Sequence, residues 1–143
     1  MCSSDLTNFA TTPNATYTYP TYDSVDVRLI VTSTLSCVPQ DTLIKRLVLK
    51  AKPTASSNYT NACGSLAATI TNSSTVAAGG ITGYQYYLGN ALISTNPSFA
   101  YSFANYGNYT LKQLVQSNFG CSSDTFYLPI TIRAKPTDRK SVV

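Results

Sequence analysis

Few side chains in this sequence could do chemistry. Its 143 residues include six carboxylates, all of them aspartate, and neither histidine nor glutamate occurs. General acid–base catalysis usually draws on a histidine or a pair of carboxylates, and a nucleophile needs a base beside it. Asp23, Asp26, Asp41 and Asp124 form no such constellation, so no catalytic residue is assigned and the chain is not expected to be an enzyme. A longer protein carrying it as an accessory could still be one. The four cysteines are not spaced as a metal cluster, and without histidine no zinc or haem site of the usual kind is expected. Neither metal nor cofactor is implied.

Two residue types remain. Cys63 and Cys121 lie in polar, turn-like stretches, TNACGS and NFGCSS. If those turns meet at one edge of the fold, a disulfide closes a loop of about 58 residues, worth about 4 kcal/mol by loop entropy. The expectation is a Cys63–Cys121 bridge and an oxidising compartment, the alternative being two free thiols. Cys37 would then pair outside the present sequence.

The other type is tyrosine, eleven in all. A phenol presents an apolar ring with a hydrogen-bonding end, well suited to sugar or protein surfaces. Strand parity sends Tyr87 and Tyr127 to solvent most clearly among Tyr17, Tyr19, Tyr22, Tyr59, Tyr87, Tyr106 and Tyr127. These two are the candidate ligand contacts. Exposed tyrosines clustered beside an acidic or amide neighbour would mark an adhesive face, and scattered ones a spacer.

What must position these residues is a β-rich fold. Ser and Thr exceed a quarter of the chain, Trp is absent, and 43% of residues are apolar, enough for a packed core. Apolar alternation marks strands through Leu66, Ala68 and Ile70, through Tyr84, Tyr86 and Leu88, and through Phe99, Tyr101 and Phe103. Tyr109, Leu111 and Val115 line a fourth, with Gln113 as an exception. Phe126, Leu128, Ile130 and Ile132 line a fifth. Each apolar face needs a cover, so two packed antiparallel sheets are expected.

The chain also repeats itself. YPTYDSVDVRLIVTSTLSCVPQDT at 19–42 resembles FANYGNYTLKQLVQSNFGCSSDT at 103–125, with Cys37 on Cys121 at an offset of 84 and Asp41 on Asp124 at 83. Two AKPT copies also sit 83 apart. In the first copy Val25, Val27, Leu29 and Val31 alternate cleanly, and Leu29 stands where the second has Gln113. The reading is one complete unit at 54–137 and the C-terminal half of another at 7–53.

At this point the sequence resembles the PKD (polycystic kidney disease-type) domain, an immunoglobulin-like β-sandwich, and especially the tandem copies in secreted and surface proteins of Bacteroidota. ACGSLAATITNSS at 62–74 is similar to the opening strand of that family and GNYTLKQLVQSNFGCSSDT at 107–125 to its late strand. YQYYLGNA at 84–91 occupies the place of the central aromatic–aspartate–glycine motif, and RAKPT at 133–137 resembles its proline-bearing linker. Over that motif Tyr86 stands at the tryptophan, Leu88 at the phenylalanine, Gly89 at a glycine and Ala91 at the final one. Tyr87 and Asn90 replace the two aspartates. A hard cation needs oxygen ligands that these side chains largely fail to supply, so no metal is expected.

The ends read differently. Residues 138–143, DRKSVV, are what the sequencing-adapter end GAT CGG AAG AGC GTC GTG TAG encodes, and residues 1–6, MCSSDL, match the reverse complement. The expectation is adapter-derived termini on a metagenomic fragment, with neither Cys2 nor Arg139 and Lys140 read as native.

Ten basic against six acidic residues give a net charge of +4. Lys45, Arg46, Lys50 and Lys52, then Arg133 and Lys135, fall in an alternating strand or its linkers, where lysine guards a sheet edge. A nucleic-acid footprint is not expected from that distribution. No apolar run approaches the ~18–20 residues that cross a bilayer as a helix, so membrane insertion is not expected. The functional expectation is a non-catalytic extracellular spacer in a tandem-repeat surface or secreted protein, partnered by neighbouring repeats. The alternative is an adhesion module for carbohydrate or protein.

Overall fold

The structure, a computed structural model, describes residues 10–34 and 40–136. It contains β1 (Ser24–Thr32), β2 (Gln40–Val48), β3 (Ser57–Asn61), β4 (Ala67–Asn72), β5 (Ile81–Leu88), β6 (Ala91–Ser94), β7 (Ser98–Ser102), β8 (Gly107–Ser117) and β9 (Phe126–Ile132). By its internal contacts the chain divides into two units, Met1–Leu49 and Lys50–Val143.

The second unit is all-β. A three-stranded sheet in the order β3-β4-β7 accompanies a four-stranded sheet in the order β6-β5-β8-β9, all neighbours antiparallel. Alternation along the strands explains the pairing of layers. Ala68 and Ile70 of β4 turn inward, as do Tyr86, Leu111, Leu128, Ile130 and Ile132 of the larger sheet, and Phe103 joins them in one buried cluster. Phe103 stacks on Tyr109 with ring centroids 4.4 Å apart, and Tyr86 meets Phe99 at 4.9 Å, so aromatic rings fill the space between the layers. The hydroxyl of Tyr109, near the start of β8, donates to the Asn105 carbonyl at 2.8 Å, four residues upstream and just ahead of the strand. This is the tyrosine-corner arrangement of immunoglobulin-like sandwiches.

Gln113, the polar exception on β8, is fully buried and faces the other layer. Its Nε2 lies 2.9 Å from Asn72 Oδ1, 3.0 Å from Ser74 Oγ and 3.2 Å from the Tyr86 hydroxyl. It ties the end of β4 to the larger sheet across the core. Its Oε1 has no partner among the described residues.

The leading segment belongs to this unit too. Ala51, Pro53 and Ala55 are buried, Thr54 exchanges two backbone bonds with Thr75 (2.8 and 3.0 Å), and Lys52 Nζ meets Asp124 Oδ1 at 2.6 Å. The division therefore falls after Leu49, slightly ahead of the boundary expected between Pro53 and Thr54.

Among its described residues the first unit pairs β1 antiparallel with β2 through nine positions. Its register reproduces that of β8 and β9. Under the repeat offsets of 84 and 83, Val25↔Leu47 becomes Tyr109↔Ile130, Val27↔Lys45 becomes Leu111↔Leu128, and Leu29↔Leu43 becomes Gln113↔Phe126. The Leu49 N–H bond to the Asp23 carbonyl likewise corresponds to Gly107↔Ile132. In contrast to their counterparts, Leu29, Val31 and Leu43 are 56%, 56% and 62% exposed, because no second sheet covers that face among the described residues of the unit. Cys2, Cys37 and both terminal hexapeptides lie outside the described residues.

Candidate functional site

The outward face of the four-stranded sheet collects the residues best suited to contact a ligand. On β5, Tyr84, Tyr86 and Leu88 point toward the core, which sends Gln85 and Tyr87 to the other side. On β8 the buried series Leu111, Gln113, Val115 and Ser117 leaves Lys112, Leu114 and Gln116 facing out. On β9 Leu128 and Ile130 are inward, so Tyr127 is outward and 57% exposed.

Register then aligns them. Tyr87 pairs with Leu92 of β6 on one side and with Lys112 of β8 on the other, and Lys112 pairs with Tyr127. The result is a cross-strand row Leu92, Tyr87, Lys112, Tyr127. Two strand spacings separate the tyrosines, about 10 Å. Tyr87, Lys112 and Tyr127 of the row edge a shallow concavity of ≈ 340 Å³ completed by Gly89, Asn90, Leu114 and Thr125. The two-residue loop Gly89–Asn90 shapes one end of it: Gly89 has φ +62° while Asn90 does not have positive φ, which is the type II′ hairpin turn. The Tyr87 hydroxyl leans toward the Gln85 side-chain oxygen at 3.4 Å.

The face carries a simple charge. Lys112 is the one charged residue in β5, β6, β8 and β9, and no carboxylate among the described residues lies within ion-pair distance of it. Asp124, the single acidic residue of 50–136, is engaged by Lys52.

Tyr87 and Tyr127, chosen from parity alone, are thus brought into one row with amide neighbours. Lys112 was missed. The same parity argument would have found it, since it lies between the inward Leu111 and Gln113. The other tyrosines do not join the row: Tyr106 bonds the Gly64 carbonyl at 3.0 Å, the Tyr59 hydroxyl accepts the Thr131 N–H at 3.1 Å, and Tyr17, Tyr19 and Tyr22 belong to the first unit.

The expected Cys63–Cys121 disulfide is not formed, and both thiols are free. Gly64, next to Cys63, donates its N–H to the Arg133 carbonyl just past the end of β9, whereas Cys121 is bonded to Ser117 ahead of its start. The length of β9, about 20 Å, keeps them apart, whereas a bridge needs Cα atoms within about 7 Å. The turns occupy opposite ends of the sandwich.

Among the described residues no group of three Cys, Asp or Glu side chains could hold a metal ion, and no helix is long and apolar enough to cross a membrane.

Two packed antiparallel sheets with a tyrosine corner define an immunoglobulin-like, PKD-like β-sandwich fold. Among solved structures it is similar to the PKD1 domain of Vibrio anguillarum Epp, with TM-score 0.53, 20% identity, and 59% of this chain matched to 96% of that one. It is also similar to the PKD1 domain of the Vibrio cholerae metalloprotease PrtV, with TM-score 0.51, 25% identity, and coverage of 58% and 99%. A third match is a structure described as a study of the promiscuous specificity of carbohydrate-binding modules from the β-sandwich superfamily. It has TM-score 0.51 and 23% identity, covering 63% of this chain and 38% of that one. No family model and no curated protein matches the sequence.

Proposed function

We propose that the chain is a non-catalytic structural module of a secreted or surface protein built from tandem PKD-like repeats, of the kind that the sequence resemblance ties to Bacteroidota. Residues 7–49 are the C-terminal half of one repeat, and the complete repeat is led by the AKPT linker at 51–54. The shared register of β1–β2 and β8–β9 supports the repeat reading. The observation that carries the spacer role is the leading linker: Ala51 and Pro53 are buried in the domain downstream of them, so this half of the junction is fixed. Proline adds its own restriction of φ. Nitrogen-15 relaxation of the intact chain tests this. The amides of Ala51 and Thr54 should be as ordered as those of β8, and linker-like mobility there would remove the basis of the role.

A second reading, adhesion, is favoured by the Tyr87–Lys112–Tyr127 row. The matched carbohydrate-binding module shares the fold and nothing finer. The measurement is glycan binding by the wild type against Tyr127→Ala.

A further inference from the structure

We propose that the outward face of the β6-β5-β8-β9 sheet binds an acidic polysaccharide whose anionic groups are uronic acid carboxylates. The inference rests on the adhesion reading and names its ligand class.

Three observations carry it. First, Tyr87 and Tyr127 stand two strands apart in one register row, about 10 Å. That separation matches two alternate sugars of an extended chain, one over each ring. Second, the strand between them carries Lys112 at the register position between the two tyrosines, outward and half-buried, so a cation is presented within the row. A sugar spanning the tyrosines has its ring substituents at that point, and a carboxylate there gains a charge-assisted hydrogen bond. Third, the charge is uncommitted. Five basic residues accompany one carboxylate in 50–136, and that carboxylate is held by Lys52, so no described residue of the unit neutralises Lys112. The β1–β2 pair supplies a parallel: the register position of Lys112 is filled by Arg28 in the first unit, opposite Ile44 where the second has Tyr127. The cation recurs while the ring does not, so the complete unit is the one equipped to stack a sugar.

A polynucleotide is the competing polyanion. Tracking a phosphate backbone takes a groove of several cations, and a face with a single lysine between two rings does not provide one.

The test uses the full chain and three probes in affinity electrophoresis and calorimetry: polygalacturonate, the same polymer fully methyl-esterified, and oligothymidylate. Polygalacturonate should bind, weakening with added salt, and the esterified polymer should bind at least about tenfold more weakly, the scale of a charge-assisted bond. Lys112→Gln should erase that difference and Lys112→Arg should retain it. Tyr87→Ala and Tyr127→Ala should each weaken polygalacturonate about fivefold or more. Unchanged melting temperatures would assign these losses to the face and not to unfolding. Equal binding of the two polymers, with the tyrosine variants still impaired, would overturn the acidic ligand and leave adhesion standing. Binding of neither polymer would overturn the acidic polysaccharide, and the glycan comparison of wild type with Tyr127→Ala then decides adhesion by itself. Preference for oligothymidylate would overturn the polysaccharide in favour of nucleic acid.

Discussion

Lys52 reaches Asp124 across 72 residues of sequence, pinning the linker ahead of the domain to the turn ahead of β9. With the two side chains 57% and 91% exposed, the pair sits in water and contributes little by itself. The weight lies in the buried Ala51, Pro53 and Ala55 around it.

That distinction sets the first prediction. A chain beginning at Lys50 should melt as the second unit does in the full chain. One beginning at Ser56 loses the three buried side chains, about 2–3 kcal/mol by area, or roughly 10 °C or more for a domain of this size. Asp124→Asn alone should cost under about 1 kcal/mol. Thermal melts of the three decide it, and equal stability of the two truncations would refute the linker's place in the domain.

Gln113 gives the second. Changing it to Leu, the residue at the matching position of the first unit, removes the unpartnered Oε1 and strands no other group. The Tyr86 hydroxyl keeps the Pro97 carbonyl at 3.2 Å, and Asn72 Oδ1 keeps the Ser74 hydroxyl at 2.7 Å. Gln113→Leu should therefore stay within about 1 kcal/mol of wild type. Gln113→Ala, which opens a cavity, should cost about 2–4 kcal/mol. Urea denaturation separates them, and a Leu variant as unstable as Ala would show that the amide itself holds the sheets together.

Alkaline titration supplies the third. Burial, reinforced by Tyr84 nearby, pushes the Tyr86 hydroxyl from 10.0 up to about 12. The folded state thus holds its proton after the unfolded state has released it. The corresponding stability is intact below pH 10 and is lost as pH climbs from about 10 toward 12. Phenolate absorbance should show one late-titrating tyrosine in the second unit that is missing in Tyr86→Phe, and that variant should have a shallower alkaline loss of stability. Identical alkaline curves would contradict the assignment.

The cysteines supply the fourth. A chain from Lys50 contains only Cys63 and Cys121. Purified without reductant, it should present two thiols per molecule, Cys63 reacting faster because it is the more exposed, and its melting temperature should not change on reduction. A reductant-sensitive melt with no titratable thiol would reverse the finding of free cysteines.

Much of the sandwich was legible because apolar alternation is a local signal. Ile70, Tyr86, Leu111 and Ile130 declare their faces within a few residues of sequence. β3 was not read, since SNYTN has no apolar alternation and takes its place through pairing with β4. β6 escaped as a four-residue edge strand. The cysteine pairing failed for a different reason. Sequence placed both thiols in turns, but which end of the sandwich a turn occupies depends on how many strands intervene and how each runs. The partners of Gln113 were hidden likewise, because Asn72 and Ser74 lie across the core and about 40 residues away. Of the candidate face, parity revealed Tyr87 and Tyr127, while their alignment through Lys112 depended on the β5-β8-β9 register.

The two AKPT copies meet different fates. Ala51 and Pro53 are buried by the domain downstream of them, while Ala134 and Pro136 are exposed beyond the domain upstream of theirs. The linker at 51–54 is thus part of the domain it leads, so a segment excised to fold intact begins at the linker. A segment cut ahead of it carries Lys52 and Asp124 together, plug and socket in one piece.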